Sequence, residues 1–267
     1  MSWRVIRAVS AKPQGYVWEV AEEPPDGAPT ASGGISPRHG FFKFTLPKNG
    51  YWGGPAAANE LIAAGLARRV GLNAADVIPA YIEGRLGVVS LVRPAAHLAA
   101  WRDLPAKVHR DIRRYVANAH QFRVMLAFDA WVLNIDRATG KNIIACQQAE
   151  GSPWRVYFID HGHTLHGNYD RWRWGGPYRS RFWDDLWRYY GVPAGVRRYL
   201  TSYHQVAPYV RRIEEVTPAQ IRQEIRSVPP QLLTPKEAKL IEDLLLWRQK
   251  RLSSILRRWF QRQTRWR

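Results

Sequence analysis

The sequence predicts an α+β fold of two lobes, with an antiparallel sheet and one helix in residues 1–93 and a mostly helical part in residues 94–267. Three observations lead to this prediction. Short apolar runs bounded by glycine and proline dominate the first third of the chain, and helical periodicity dominates the rest. The length of 267 residues, with a hydrophobic content of 46%, is also enough to bury a substantial core.

The first lobe is predicted to contain a sheet and a single helix. Residues 2–22 alternate apolar and polar side chains, which indicates one or two strands before the turn-rich EPPDGAP segment. Apolar residues at helical spacing predict a helix over residues 56–70, with Gly71 as its stop. Further strands are predicted at residues 41–46, 80–83 and 86–92.

The second lobe is predicted to be helical apart from one hairpin. A buried helix is expected over residues 121–133, where Asp129 interrupts the apolar surface and is expected to brace the loop that follows. Two short strands, at 142–146 and 154–159, flank a polar turn and predict the hairpin.

Two later helix starts are marked by capping patterns. Thr217 and Thr234 each provide an N-cap hydroxyl, followed by proline at the first helical position and Gln or Glu at the third. The second pattern is expected to open one long amphipathic helix that runs into the basic tail, residues 257–267.

Two charged residues of the first lobe lie in apolar surroundings. Lys43 interrupts the strand FFKF, and Glu60 lies on a helix face whose neighbours one turn away are alanines. A carboxylate on such a face needs a cationic partner or a shifted pKa, and Lys43 is the nearest upstream candidate. Alternatively, Lys43 points to solvent from a half-buried strand, and Glu60 is an ordinary acidic residue near a helix N-terminus.

Three polar residues end or begin predicted elements of the second lobe. Asp136 follows the buried helix, Asn142 opens the hairpin and Asp160 closes it. Two carboxylates and an amide suit a divalent cation on the phosphates of a nucleotide, because hard cations take oxygen ligands and Mg²⁺ keeps most of its waters. The sequence therefore predicts a metal and phosphate site built from these residues.

In chain order, the candidate residues are flexible glycines, a strand lysine, a helix glutamate, and then the aspartates and asparagine of the second lobe. Protein-kinase-like phosphoryl transfer requires such a set, because it needs a cation on the phosphates, metal ligands and a positioned carboxylate. On these residues the sequence resembles the HipA-like kinases, which have a protein-kinase-like fold and are related to the phosphatidylinositol 4-kinases. The matching motifs are FFKF, NELIAAGLARRVGL, FDAWVLNIDR, KNII and YFIDHGHTL, and they cover residues 41–165.

The resemblance implies an ATP- and Mg²⁺-dependent phosphotransferase of the serine/threonine-kinase type, acting on a hydroxyl of a protein or a small molecule. It implies a catalytic base at Asp136, a phosphate-binding lysine at Lys43 with Glu60 as its partner, and metal ligands at Asn142 and Asp160. The loop SGGISPRHG is expected to contact phosphates through Ser32, Gly33, Gly34 and Ser36. No motif identifies the phosphate acceptor.

The sequence departs from the usual kinase pattern at three points. Asn142 lies six residues after Asp136, one more than is usual, so either the loop bulges or Asn142 is displaced as a ligand. The glycine-containing loop does not match GxGxxG. His161 follows Asp160, where many kinases have phenylalanine.

The formal net charge of +18 favours a polyanionic partner such as nucleic acid, an anionic membrane surface or a phosphorylated ligand. Arginines alternate with aromatic residues over residues 171–189. This pattern supports an alternative function, a catalytically weak kinase-like protein that docks on nucleic acid or a protein partner. The simpler interpretation, which we favour, places the tryptophans in the core and the arginines in solvent.

Two further predictions concern a zinc site and the cellular compartment. His161, His163 and His166 suggest a zinc cluster, but their spacing does not arrange three imidazoles tetrahedrally without a fourth ligand. The single cysteine, Cys146, excludes an internal disulfide and agrees with a reducing compartment. The sequence shows neither a signal peptide nor an apolar run long enough to span a membrane. We therefore expect a cytoplasmic protein without a transmembrane segment.

Overall fold

The computed structural model describes residues 2–12, 15–23, 37–44, 55–165, 184, 191–193 and 195–264. Within these residues the fold is mixed α/β, with antiparallel sheets followed in the chain by helices. None of the described helices is both long enough and apolar enough to cross a membrane.

The first sheet has five antiparallel strands in the order β1-β2-β3-β5-β4. The strands are β1 (Ser2–Lys12), β2 (Gly15–Glu23), β3 (His39–Phe44), β4 (Val77–Ile82) and β5 (Arg85–Leu91). Alternating side chains of these strands form one apolar cluster, because successive residues of a strand face opposite sides of the sheet. Its buried members are Trp3, Val20, Phe42, Phe44, Ile82 and Val89.

Helix α1 (Ala56–Val70) has the predicted bounds, and Gly71 ends it with a left-handed φ of 74°. The helix packs in two directions. Ala57 and Ala64 contact the first sheet, whereas Ile62 and its neighbours belong to the largest apolar core, which the later helices share. Helix α1 therefore ties the sheet to the helical part of the chain, and a division into lobes at residue 93 stays a prediction.

The second sheet has three antiparallel strands, β6 (His97–Ala100), β7 (Ile143–Gln147) and β8 (Arg155–Phe158). The β7–β8 hairpin agrees with the prediction. Strand β6 was not predicted, because the four residues HLAA carry no alternating pattern and no β-branched residue. Only pairing with β7 makes this segment a strand.

Eight further helices follow α1 in the described residues. They are α2 (Ala106–Arg110), α3 (Ile112–Tyr115), α4 (Gln121–Val132), α5 (Val196–Tyr199), α6 (Ala207–Glu214), α7 (Pro218–Arg226), α8 (Pro235–Gln249) and α9 (Leu252–Thr264). Every residue of α4 except Arg123 is buried, so α4 is the central helix of the helical part.

The two predicted capping boxes are present at Thr217 and Thr234, where each hydroxyl accepts from a backbone N–H and each third-position side chain accepts from the N-cap N–H.

The prediction of one long helix after Thr234 was wrong. At the end of α8 the N–H of Arg251 bonds the carbonyl of Arg248, three residues earlier, at 3.0 Å. This tighter last turn ends the helix, and α9 begins at Leu252.

Candidate active site

Lys43 lies on β3 and contacts carboxylates from two distant parts of the chain. Its Nζ donates to Glu60 Oε1 at 2.5 Å and to Asp160 Oδ1 at 2.9 Å. Glu60 is 1% exposed, so its carboxylate has lost most of its hydration and relies on these partners. Lys43 therefore does not simply point to solvent, because it contacts both carboxylates. Glu60 is not an acidic residue of the first helical turn, because it lies beyond the first turn of α1.

Lys43 and Asp160 stabilise each other's charged forms. Burial acts to lower the pKa of Lys43, but the charges of Asp160 and Glu60 outweigh it, so the pKa of Lys43 is raised. The Lys43 ammonium in turn holds the pKa of Asp160 well below its usual range, against the effect of burial. The lysine is therefore a cation and Asp160 an anion at neutral pH.

Helix α1 also fixes the segment that follows β8. Glu60 Oε2 accepts a hydrogen bond from the backbone N–H of His161 at 2.9 Å, and Asn59 Nδ2 donates to the carbonyl oxygen of Gly162 at 3.0 Å. Asp160 itself has a φ of 62°, in the left-handed region that aspartate tolerates better than most residues. The position of Asp160 thus depends on hydrogen bonds from residues about a hundred positions earlier in the chain.

The loop after α4 brings Asp136 and Asn142 together. Asn142 Nδ2 donates to Asp136 Oδ2 and to the Asp136 carbonyl oxygen, both at 3.1 Å, and Lys141 Nζ lies 3.2 Å from Asp136 Oδ2. The additional residue of the loop is accommodated by a turn in which Gly140, with a φ of 72°, donates to the carbonyl of Arg137 at 3.0 Å. The loop therefore turns tightly and places Asn142 against Asp136, and the role of Asn142 as a metal ligand stays a prediction.

Arg137 is the residue of this site that our sequence interpretation missed. Its side chain is 2% exposed and donates to four acceptors within 3.0 Å, which are Asp129 Oδ2, the carbonyl oxygens of Asn142 and Ile159, and His161 Nε2. An arginine directly after the candidate base was visible in the motif FDAWVLNIDR, but nothing in the sequence showed that it is buried.

Asp129 connects Arg137 to the buried helix α4. Its Oδ1 accepts from Asn134 at 2.9 Å and its Oδ2 accepts from Arg137 at 3.0 Å, so the expectation that Asp129 braces the following loop is confirmed. Burial raises the pKa of the Asp129 carboxyl, although Arg137 and Asn134 act in the opposite direction.

His161 occupies a buried position between the loop and α4. Burial, aided by the charge of Arg137, lowers the pKa of His161 well below its usual value. Because arginine only donates, Nε2 of the neutral ring accepts the bond from Arg137, and the ring lies edge-on to Phe128 at 5.8 Å between centroids. His161 is therefore a packed hydrogen-bond acceptor, and the described residues contain no group of three or more potential metal-binding His, Cys, Asp or Glu side chains.

Two cavities meet at Lys43 and Asp160. The larger, of about 520 Å³, lies between the two sheets, and its apolar lining includes Val17, Phe41, Leu98, Ala100, Ile144 and Ile159. The smaller, of about 210 Å³, has a more polar lining, which includes Glu60, Asp136, Lys141, Asp160 and His163, and we call it the polar cavity. A flat apolar ring suits the first cavity, and an anionic group that extends past Lys43 suits the second.

The donor set of the site fits Mg²⁺ bound together with a nucleotide. Lys43 occupies Oδ1 of Asp160, and Asn142 uses its amide nitrogen on Asp136; the remaining oxygens, Asp160 Oδ2 and Asn142 Oδ1, make no hydrogen bond among the described residues. Two protein oxygens suit Mg²⁺, which usually binds only one or two protein carboxylates and completes its coordination shell with phosphate and water.

Some residues of the sequence prediction cannot be placed. The candidate phosphate-contacting residues Ser32, Gly33, Gly34 and Ser36 lie outside the described residues, as do His166 and most of the arginine- and aromatic-rich run 171–189. The roles assigned to all of these residues stay predictions.

Comparisons with known proteins agree with the geometry at the level of the fold. No protein-family model and no curated protein matches the sequence. Among solved structures, the chain is similar to the proinflammatory kinase CtkA of Helicobacter pylori, with a TM-score of 0.60 and 12% identity over 92% of this chain and 96% of that chain. It is also similar to HipA of Shewanella oneidensis, solved with HipB and its operator DNA, with a TM-score of 0.51 and 15% identity over 94% of this chain and 66% of that chain. The expected resemblance to HipA-like kinases is thus confirmed for the fold.

Proposed function

We propose that this protein is an ATP- and Mg²⁺-dependent kinase that transfers a phosphoryl group to a hydroxyl of a protein or small molecule, in the manner of a serine/threonine kinase. The observation that carries this proposal is the contact of Lys43 with both Glu60 and Asp160 at the junction of an apolar and a polar cavity. The kinase-like fold of CtkA and HipA agrees with it. In this proposal residues 1–93 and 94–267 form two lobes around the nucleotide.

Each residue of the site has a role that its contacts support. The apolar cavity takes the base, Lys43 neutralises phosphate oxygens, and Glu60 holds Lys43 in place. Asp160 and Asn142 hold the metal, which when bound withdraws charge from the phosphates. Phosphate contacts of Ser32, Gly33, Gly34 and Ser36 complete the proposal.

Asp136 is the proposed catalytic base. Its carboxylate lines the same polar cavity as Lys43 and Asp160, so an acceptor hydroxyl in that cavity comes within reach of both the base and the phosphates. Asn142 and Lys141 contact one of its oxygens and fix its orientation. A fixed carboxylate contributes by orienting the hydroxyl and accepting its proton.

Saturating ATP with Mg²⁺ is expected to raise the melting temperature. Ligand at about 100 times its Kd adds about 2.7 kcal/mol to the free energy of unfolding, because it binds only the folded chain. The measurement is differential scanning fluorimetry with ATP and Mg²⁺, with each alone, and with AMP. An unchanged melting temperature at saturating ATP and Mg²⁺ would refute the proposed nucleotide site.

A matched pair of variants makes this test specific. Asp160→Asn removes the proposed metal ligand's charge and is expected to abolish the part of the shift that depends on Mg²⁺. Asp76→Asn makes the same chemical change at an exposed position outside both cavities and is expected to keep the full shift. Equal shifts in the two variants would remove Asp160 from the site.

A non-catalytic protein that docks on nucleic acid is the second candidate function, and the net charge of +18 favours it. This candidate predicts binding to generic DNA or RNA that weakens steeply with salt and survives Asp136→Ala, because the affinity comes from phosphate neutralisation. The kinase proposal predicts that Asp136→Ala abolishes autophosphorylation or ADP release. Two measurements on the wild type and on Asp136→Ala separate the candidate functions. Fluorescence polarisation at several salt concentrations measures nucleic-acid binding, and a coupled assay measures ADP release.

A further inference from the structure

A second groove, which the proposed chemistry leaves unused, lies beside the loop that carries Asp136. Its volume is about 550 Å³. Its basic side chains come from three separate elements, and small apolar residues form part of its walls; these are Arg102, Arg110 and Arg198, with Ala106, Ala138 and Pro193. We call this set the basic groove.

The basic groove and the polar cavity share one loop. Ala138 and Thr139 line the groove, whereas Asp136 and Lys141 line the cavity that Lys43 enters. The walls of the groove contact this loop closely, since a Cβ added to Gly140 would lie 3.0 Å from Trp101 Cδ1 and 3.5 Å from Pro193 Cβ. Neighbouring residues of one loop therefore line the groove and the cavity, and the proposed base, Asp136, lies two positions before Ala138 in the chain.

The described residues neutralise the positive charge of the groove only in part. None of its lining residues is acidic. Arg110 and Arg198 are exposed and form no ion pair within the described part of the chain, and Arg102, 58% exposed, approaches only Asp103, at 3.5 Å. Guanidinium groups with free donors bind carboxylates through paired hydrogen bonds. The chemistry of the groove thus suits an anionic ligand.

The walls of the groove distinguish between anionic ligands. Trp101 is fully buried and packs edge-on to His109 at 4.9 Å between centroids, so its ring offers no face on which a nucleic-acid base could stack. Apolar walls between separated cations suit side chains of an extended peptide, which present aliphatic surface between their carboxylates.

We propose that the basic groove binds an acidic peptide segment of a protein acceptor, beside the hydroxyl that receives the phosphoryl group. This inference rests on the proposed kinase function, because it names the class of acceptor. Binding of the segment would position its serine or threonine hydroxyl at Asp136, and positioning of this kind lowers the barrier to transfer.

The test measures peptide binding directly and without nucleotide. The probe is a short fluorescein-labelled peptide in which glutamates flank one serine, and the comparison peptide carries glutamines in their place. The Arg110→Gln/Arg198→Gln double variant is expected to weaken binding of the glutamate peptide at least about tenfold, the effect of losing charged hydrogen bonds. The control, Arg211→Gln/Arg226→Gln, removes the same charge from exposed positions of α6 and α7 and is expected to bind as the wild type does. The Arg110→Lys/Arg198→Lys variant keeps the charge and is expected to retain most of the affinity.

Several outcomes would overturn the inference. The first three are absence of peptide binding to the wild type, equal binding of the glutamine peptide, and an equal loss of peptide affinity in the Arg211→Gln/Arg226→Gln control. The fourth is a labelled single-stranded oligonucleotide whose affinity falls as much as that of the peptide in the Arg110→Gln/Arg198→Gln variant. Failure of the kinase proposal is read from a different measurement, the melting shift with ATP and Mg²⁺. Groove-dependent peptide binding without a melting shift overturns the kinase function alone, and a melting shift without peptide binding overturns the groove alone.

Discussion

Replacing Arg137 with leucine is expected to lower the free energy of unfolding by about 3–5 kcal/mol, the usual cost of breaking one side of a buried ion pair. The variant leaves the Asp129 carboxylate and the carbonyl oxygens of Asn142 and Ile159 without their donor in a dry interior. Because a domain is stable by only about 5–15 kcal/mol, a large share of the folded stability is lost. Urea denaturation followed by circular dichroism measures the change.

A double variant separates the buried charge from the lost packing. Asp129→Leu/Arg137→Leu removes both members of the pair and is expected to be more stable than Arg137→Leu alone, since no unpaired carboxylate remains. Arg226→Leu changes an exposed arginine of α7 and is expected to cost within about 0.5 kcal/mol. A single variant as stable as the wild type would show that the network around Arg137 does not hold the loop.

Replacing Lys43 with methionine is expected to lower the rate of phosphoryl transfer at least about 100-fold, the usual effect of removing one group that stabilises charge in the transition state. The change removes the ammonium group that donates hydrogen bonds to both Glu60 and Asp160. Autophosphorylation and ADP release under saturating ATP and Mg²⁺ measure the effect. Lys236→Met, at an exposed position of α8, is the matched control and is expected to keep wild-type activity.

In Lys43→Met, a lower rate of phosphoryl transfer must be distinguished from a lower stability of the fold. Lys43→Met leaves Glu60 as a buried carboxylate without its cation, so a lower melting temperature is also expected. Lys43→Met/Glu60→Gln removes that charge and is expected to recover stability without recovering transfer. Full activity in the double variant would contradict the role proposed for Lys43.

The local elements of this protein followed from its sequence. Helix α1 was predicted with its observed bounds because its apolar residues recur at helical spacing and a glycine ends it. The capping boxes at Thr217 and Thr234 were predicted because their side chains bond backbone groups only three residues away. Features of this kind depend on neighbours in the chain.

The order of Lys43, Glu60, Asp136, Asn142 and Asp160 also came from the sequence, since motifs preserve order. Their contacts did not. The structure places Lys43 against Asp160, 117 residues later, and forms the turn at Gly140 that keeps Asn142 on Asp136. Distances between such residues are set by packing of the sheets on the helices, which no local pattern encodes.

Sequence alone thus determined the strands and helices with strong periodicity, the capping patterns and the list of candidate residues. Tertiary structure decided that HLAA becomes a strand, that the helix after Thr234 breaks before Leu252, and that Arg137 is a buried centre of hydrogen bonds. The physical reason is the same in each case. A short strand and a buried charge are stable only when partners from distant parts of the chain supply the hydrogen bonds and burial that the segment lacks by itself. The last turn of α8 also has such partners, since Arg248 donates to the carbonyl of Ala130 and Gln249 donates to the carbonyls of Ile213 and Val216.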